Sequence, residues 1–447
     1  MTTSYKQPTT CIHKVNPREQ FAEAIKLLKV DLYYDVRECR AFLGDRPVSE
    51  RNMQSLRYRI GERFTVPYGK GEKPLMFGRQ AFYDLREAYL NDRERDPFRE
   101  WLEKRPYKDL DITKGDADAY ELSVDRMLEN LFGVEASQYS RHISRAIVLA
   151  AVWRTMKPGC AVHEIPVIQG PQGIGKDALL RSLVPWRELH TESFSFSSSP
   201  KERVEVTRGK VYAVASEMGG VTTTKDIEHL KQYITNPADT LRLSYRRDQE
   251  YLPRMFTFIC TTNLETPLPS DPTGNRRFMV VRAGPSRVGR VEDWIDEYRE
   301  ELWAECLWLY HHGYSHELPR DLKDVQTEDN LDYERVDEAV EEAFNLAMNT
   351  GSIDLYEPHK LSEIAVALSL CDTIEEFGRG DGSARLQHRV RDVLTKRGWK
   401  RRQMRKPHER VPCRMWVSPE YQTLTASELQ AMKDKINQDI DKLAKNL

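Results

Sequence analysis

The stretch GPQGIGKDALL, Gly170 to Leu180, constrains this chain more than any other. Gly170-x-x-x-x-Gly175-Lys176 has the spacing of a phosphate-binding loop, which works only between a buried strand and a helix. Ile165–Gln169, IPVIQ, is a short apolar run suited to a buried strand, and KDALLRSLV is patterned as a helix. Between them, glycines let backbone N–H groups face phosphate oxygens where a Cβ would block the approach. The helix start adds the positive end of its dipole. Lys176 is placed to reach the β- and γ-phosphates. The expected nucleotide-binding set is Gly170, Pro171, Gln172, Gly173, Ile174, Gly175, Lys176, Asp177 and Ala178, with ATP as ligand and magnesium beside it.

The residue after the lysine breaks the pattern. Ser or Thr normally gives magnesium a hydroxyl there; this chain has Asp177. A carboxylate is also a hard oxygen ligand for magnesium. Without metal it would repel triphosphate by about 4 kcal/mol at roughly 4 Å and an effective dielectric of about 20. Two roles stay open: a magnesium ligand that makes nucleotide binding unusually metal-dependent, or a cap on the helix N-terminus, where Asp is favoured.

Further apolar runs follow in KVYAVASE (210–217), RMFTFICTTN (254–263) and RRFMVVR (276–282), alternating with helical patterns such as DIEHLKQYI. That alternation implies an α/β fold with a mostly parallel sheet. A P-loop NTPase needs an acid at a neighbouring strand end to polarise water or hold metal, and Glu217 is so placed, with Ser216 before it where a second acid is common. Asn263 can orient water against the γ-phosphate, although Asn also suits strand-end turns. Arg276 and Arg277 begin the last run; on extended chain they face opposite sides, so one can pair locally while the other reaches a γ-phosphate, across a subunit interface. The catalytic set is Lys176, Glu217, Asn263, Arg276 and Arg277, and the metal set is Asp177 and Glu217.

A formal net charge of -2 over 447 residues gives no global preference for nucleic acid, so any such preference is local. Seven scattered cysteines without a C-x-x-C pair argue against a zinc site or disulfide scaffold, and with no visible signal peptide they point to the cytoplasm. The longest apolar run, Ile147–Trp153, is far short of the about 20 residues that span a bilayer, so no membrane role is expected. The expected order is a mostly helical region (1–95), a helical domain leading into the ATPase (96–160), the P-loop core (161–285), a helical region with an acidic linker (286–350), a winged-helix-like basic module (351–420) and an amphipathic helix (421–447).

Four motifs in order, GPQGIGKD, RGKVYAVASE, LPRMFTFICTTN and DPTGNRRF, resemble the virulence-associated protein E-like family, phage- and plasmid-type replication ATPases related to superfamily 3 helicases. The upstream DPFREWLE and YSRHISRAIVLAAVWRTM are similar to the same family's helical lead into the loop. The resemblance covers about residues 30 to 315. It implies an AAA+-like core in a homo-oligomeric ring, a hexamer, that moves along DNA, with replication proteins as further partners. By motif, Lys176 is the Walker A lysine, Glu217 the Walker B acid, Asn263 the sensor, and Arg276 or Arg277 the arginine finger. DTLRLSYRRDQEYLP matches a channel-facing hairpin in related helicases, so Arg242, Tyr245, Arg246 and Arg247 would contact DNA, cations on phosphates and the ring on a base. Asp177 and Ser216 depart from the pattern and bear on catalytic rate more than on nucleotide binding. The first 150 residues show no D-x-D pair on an apolar strand and no zinc cluster, so primase activity is not expected.

From Arg385 to Arg414 twelve Lys/Arg stand against Asp392 and Glu409. RLQHRVRDVLTKRGW suits a recognition helix with Leu386, Val390, Val393 and Leu394 inward and arginines outward, followed by a basic wing. Arg385, Arg389, Lys400, Arg401, Arg402 and Arg405 are the expected DNA contacts, with affinity falling steeply as salt rises. The leading reading is an ATP-dependent DNA helicase or replication initiator of a phage or mobile element. The alternative is a nucleotide-gated DNA-binding regulator, in replication control or phage interference, with little turnover. A small-molecule kinase is disfavoured by the TTN, GNRRF and basic segments.

Overall fold

A computed structural model describes residues 10–118, 121–196, 198–215, 231–241, 250–268, 275–333, 338–371, 381–404, 413–425 and 427–428 of the 447. The chain divides into two compact units, residues 1–263 with 277–323, and residues 264–276 with 324–447.

The first unit begins with a mixed α/β module, which corrects the expectation of a mostly helical region up to residue 95. Its elements are β1 (Thr10–Cys11), α1 (Pro17–Leu27), β2 (Leu32–Asp35), β3 (Arg40–Leu43), β4 (Arg46–Pro47), α2 (Glu50–Arg63), β5 (Phe64–Tyr68), β6 (Gly71–Pro74), α3 (Arg79–Leu90) and β7 (Glu94–Arg95). Two small sheets form, β1-β5-β6 and β4-β3-β2-β7. Strands of two to five residues are too short to show a period of two in the sequence, whereas α1 is legible from its spacing. Phe21, Ile25, Met53, Leu56, Ile60 and Phe82, all buried, form the module's own core. Arg37 ties the module to the rest of the unit. Its guanidinium is 4% exposed and donates to Asp96 Oδ1 (3.1 Å) and Oδ2 (2.8 Å), Thr155 Oγ1 (3.1 Å), Lys210 O (3.2 Å) and Met255 O (2.7 Å).

Helices α4 (Pro97–Glu103), α5 (Lys114–Asp118), α6 (Ser123–Phe132) and α7 (Gln138–Met156) follow. Apolar residues surround α7, which is consistent with its burial in the core, and Ser137 and Ser140 start it with a reciprocal capping box. A buried ion pair, Arg145 Nε to Asp125 Oδ1 at 2.6 Å, joins α7 to α6.

The α/β core comprises β8 (Ile165–Gln169), α8 (Lys176–Leu183), β9 (His190–Thr191), α9 (Pro200–Thr207), β10 (Tyr212–Ala215), β11 (Ala238–Leu241), β12 (Glu250–Pro253), β13 (Thr257–Thr262), β14 (Phe278–Arg282) and α10 (Val291–His311). Five strands form one sheet in the order β14-β8-β13-β10-β9, every pair parallel. Covered on both faces, such a sheet is built from unbroken apolar runs, and every residue of IPVIQ and YAVA is buried. β11 and β12 form a separate antiparallel hairpin.

The second unit holds α11 (Lys323–Tyr333), α12 (Glu338–Thr350), α13 (Leu361–Ala367), α14 (Asp381–Lys396), the antiparallel pair β15 (Lys400–Met404) and β16 (Cys413–Val417), and α15 (Pro419–Thr423). Phe344, Ile364, Val390, Val393, Leu394, Trp399 and Trp416 form its core, so the inward face of α14 follows the sequence spacing. No helix among the described residues is long and apolar enough to cross a membrane.

Candidate active site

β8 runs straight into the glycine loop. Gly170 N–H donates to Thr262 O (3.0 Å) and Ala283 N–H donates to Gln169 O (2.7 Å), so the loop begins clamped between the ends of β13 and β14. A Cβ on Gly170 would stand 2.4 Å from Ala283 O. Gly173 and Gly175 take the left-handed φ values 82° and 98°, and a Cβ on Gly175 would also meet Val291 Cγ2 at 2.7 Å. Two of the loop's glycines are therefore needed for close packing and two for backbone conformation, with Gly175 serving both.

Gly175 is the N-cap of α8 and supplies no side-chain capping bond. Among the described residues, no backbone N–H from Gly175 to Ala178 donates to a protein acceptor, and residues 172–173 form a tight turn before them. Four successive donors at the start of a helix are what an anion needs. The other end of α8 is closed by α10, where Arg299 Nε donates to Ser182 O (2.6 Å) and Trp303 Nε1 to Leu183 O (2.8 Å).

Lys176 lies within this array and is 8% exposed. Its Nζ donates to Gly170 O (2.7 Å) and Pro171 O (2.8 Å). Burial pushes the ammonium below the ordinary lysine value, and the neighbouring Asp177 charge opposes that shift. Asp177 is exposed, and its Oδ1 accepts from Thr261 Oγ1 at 3.0 Å. It stands one residue inside the helix, so it is not the N-cap, and the capping role gives way to a link between α8 and β13. Oδ2 has no hydrogen bond among the described residues. Thr261 escaped the sequence reading; as a buried strand hydroxyl beside an apolar run, it gave no signal except its place two residues before Asn263.

β13 lies between β8 and β10, with Thr262 opposite Gln169 and Ala215 opposite Cys260. Asn263, exposed just beyond β13, is thereby set beside the start of the loop. Ser216 and Glu217 follow Ala215 directly and lie outside the described residues. These strand ends all fall on the carboxyl edge of a parallel sheet, where α/β folds bind ligands. Arg277 lies on the opposite edge: its carbonyl accepts from Ile165 N–H at 2.6 Å, where β8 begins. Along a five-residue strand the two edges are about 16 Å apart. The structure therefore does not bring Arg277 to Lys176 of the same chain. Arg276, immediately before it, is exposed, and its carbonyl accepts from Gln326 Nε2 at 3.1 Å.

The β11–β12 hairpin stands on a rigid base. Arg254, 2% exposed, donates to Asp239 at 2.9 and 2.7 Å and lies 4.1 Å over the Tyr233 ring. Arg242, Tyr245, Arg246 and Arg247 lie outside the described residues, as does Arg405. Arg385 and Arg389 fall within α14, with Arg389 half-buried, and Lys400, Arg401 and Arg402 are exposed on β15. Arg401 is held below the ordinary guanidinium value by partial desolvation and by the like charges of Arg414 and Arg391, which marks a concentration of positive charge. Arg397 is an exception in this basic segment: it pairs with Glu341 and stacks 4.6 Å over Phe344, so it serves the fold.

No curated protein matches the chain. Two solved structures of the NrS-1 C-terminal region, both in the A-form apo state, are 14% and 15% identical to it. Each covers 90% of this chain, with 100% and 99% of their own lengths covered and a TM-score of 0.41, a likeness too low to bear on fold or function. Residues 118–335, from the end of α5 through the parallel sheet to just beyond α11, match the virulence-associated protein E-like domain.

Proposed function

We propose that the carboxyl edge of the five-stranded sheet is the ATP site of an AAA+-like P-loop ATPase, and that the chain is a DNA helicase or replication initiator of a phage or mobile element. The observation that carries this reading is the run of four unspent backbone donors from Gly175 to Ala178 around a buried lysine. Phosphate oxygens accept from these amides, and Lys176 exchanges its two loop carbonyls for the β- and γ-phosphates. Asn263 orients the attacking water, and Glu217 takes its proton. Magnesium, when bound, neutralises charge between the phosphates; the free Oδ2 of Asp177 and the Glu217 carboxylate suit it as hard oxygen ligands. Because Arg277 sits on the far edge, an arginine finger from Arg276 or Arg277 acts on a neighbouring copy's nucleotide, which makes a ring the working form.

The antiparallel β15–β16 pair after α14 supports a winged-helix-like module, and the Arg401–Arg414–Arg391 charge supports DNA as its ligand. The segment carrying Arg242, Tyr245, Arg246 and Arg247, between β11 and β12 in sequence, is the proposed second contact. The test is ATP hydrolysis with and without DNA, together with strand separation on a forked duplex. DNA-stimulated hydrolysis and unwinding are expected. ATP-dependent DNA binding without turnover would instead establish the regulatory alternative.

A further inference from the structure

The N-terminal module carries a basic surface that the proposed ATPase and its DNA contacts leave unused. Helix α2 buries Met53, Leu56 and Ile60 and turns Arg51, Gln54, Ser55, Tyr58, Arg59, Glu62 and Arg63 to solvent. At 3.6 residues per turn these seven share one face, on which Glu62 stands against three arginines. Arg51, Arg59 and Arg63 have no ion pair or hydrogen bond among the described residues. The helix leads directly into β5, and the β5–β6 hairpin is exposed from Pro67 to Pro74. Its register pairs Tyr68 with Gly71, leaving a two-residue tip in which Gly69 takes a φ of 59° and Lys70 projects. Tyr58 and Tyr68 are 54% and 65% exposed, and the first lies under Arg57 at 5.2 Å and the second under Lys73 Nζ at 4.2 Å. From Glu50 to Arg79 there are seven Lys/Arg against three Glu, in a chain of net charge -2.

We infer that α2 and the β5–β6 hairpin form a second duplex-DNA-binding surface, with α2 in the major groove and Lys70 and Lys73 on the flanking phosphates. A helix is about 10–12 Å across with side chains, and the major groove is about 12 Å wide. Arg, Gln and Ser are side chains that read base edges there. α2 packs against both β5 and β6, and a Cβ on Gly61 would stand 2.2 Å from Met76 Sδ just beyond the hairpin, so helix and hairpin form one body. Arg37 then joins that body to the residues preceding β10 and β13, the strands that end at the nucleotide site. The surface itself requires no nucleotide.

The experiment is fluorescence anisotropy of a labelled random-sequence duplex, and of the matching single strand, with the full chain across about 50 to 200 mM salt. The variants are Arg51→Gln/Arg59→Gln/Arg63→Gln and, separately, Lys70→Gln/Lys73→Gln. Both change exposed side chains, and unchanged thermal melting confirms folding. The arginine variant is expected to lose duplex affinity about tenfold or more, and the lysine variant is expected to make the slope of log K against log salt shallower by about one per lysine. Unchanged duplex affinity and slope, a loss confined to the single strand, or a change in sedimentation alone would overturn the inference. Basal ATP hydrolysis, measured on the same samples without DNA, separates the two ideas: if hydrolysis is absent but the arginine-dependent duplex binding stands, only the ATPase reading fails.

Discussion

The two edges of the five-stranded sheet differ in what one chain can do alone. The carboxyl edge brings together the loop amides, Lys176, Asp177 and Asn263, each positioned by contacts inside the same unit. The amino edge holds Arg277, a strand length away from that loop. On the proposed reading, phosphate binding would be a property of one chain, whereas arginine-assisted turnover would require an assembly.

Mixing two inactive variants would break or sharpen this contrast most strongly. Arg276→Ala/Arg277→Ala and Lys176→Ala should each lose hydrolysis by about 10³-fold or more, the range for an arginine finger and its P-loop partners. Their mixture should regain part of it, since an intact loop from one copy can meet an intact arginine from the other. Absence of recovery in mixtures that demonstrably co-assemble would place the arginines outside the site. Next in size is Gly175→Ala. The left-handed φ of 98° and the 2.7 Å approach to Val291 Cγ2 should together lower stability by about 2–4 kcal/mol, measured as a fall in Tm or in the urea midpoint. Gly173→Ala, with φ 82° but no atom within 4 Å, should cost about 1–2 kcal/mol, so the difference between the two isolates the packing contribution.

Thr261→Val gives a smaller effect, about 1 kcal/mol from the lost hydrogen bond to Asp177. It should also alter the magnesium concentration needed for half-maximal nucleotide binding, because Thr261 holds one carboxylate oxygen. An unchanged magnesium requirement would show that Asp177 orientation does not matter. A separate test is a pH effect at the helical lead. Burial raises Glu305 to about 7 despite its acceptance of the Ser123 and Val124 N–H groups at the start of α6. A carboxyl raised in the folded state contributes stability that is fully present below its unfolded value of 4.5 and lost as pH rises to about 7. Glu305→Gln should remove that component, so stability measured from pH 4.5 to 7 should slope less steeply downward than in the parent chain; an identical slope would show that Glu305 is not its source.

The loop and its strands were legible because each has a physical signature of its own. Fixed glycine spacing marks the loop, and unbroken apolar runs mark strands buried on both faces. The N-terminal module was not legible, since its strands span two to five residues and the charged stretches between them read as helix. β9, only two residues long, is set by pairing with β10 rather than by local pattern. The Asp177–Thr261 link joins residues 84 apart in sequence, which no local pattern reports. The edge on which Arg277 falls follows from strand direction, and that becomes visible only once β14 is seen to run parallel to β8.

The most direct measurement is titration of the purified chain and its Lys176→Ala variant with ATP in the presence of magnesium, followed by calorimetry. The account predicts saturable binding by the parent chain, weakened about 10²-fold or more in the variant as charge-assisted contacts to phosphate are lost. Equal affinity in both proteins, or no binding by the parent chain, would contradict it.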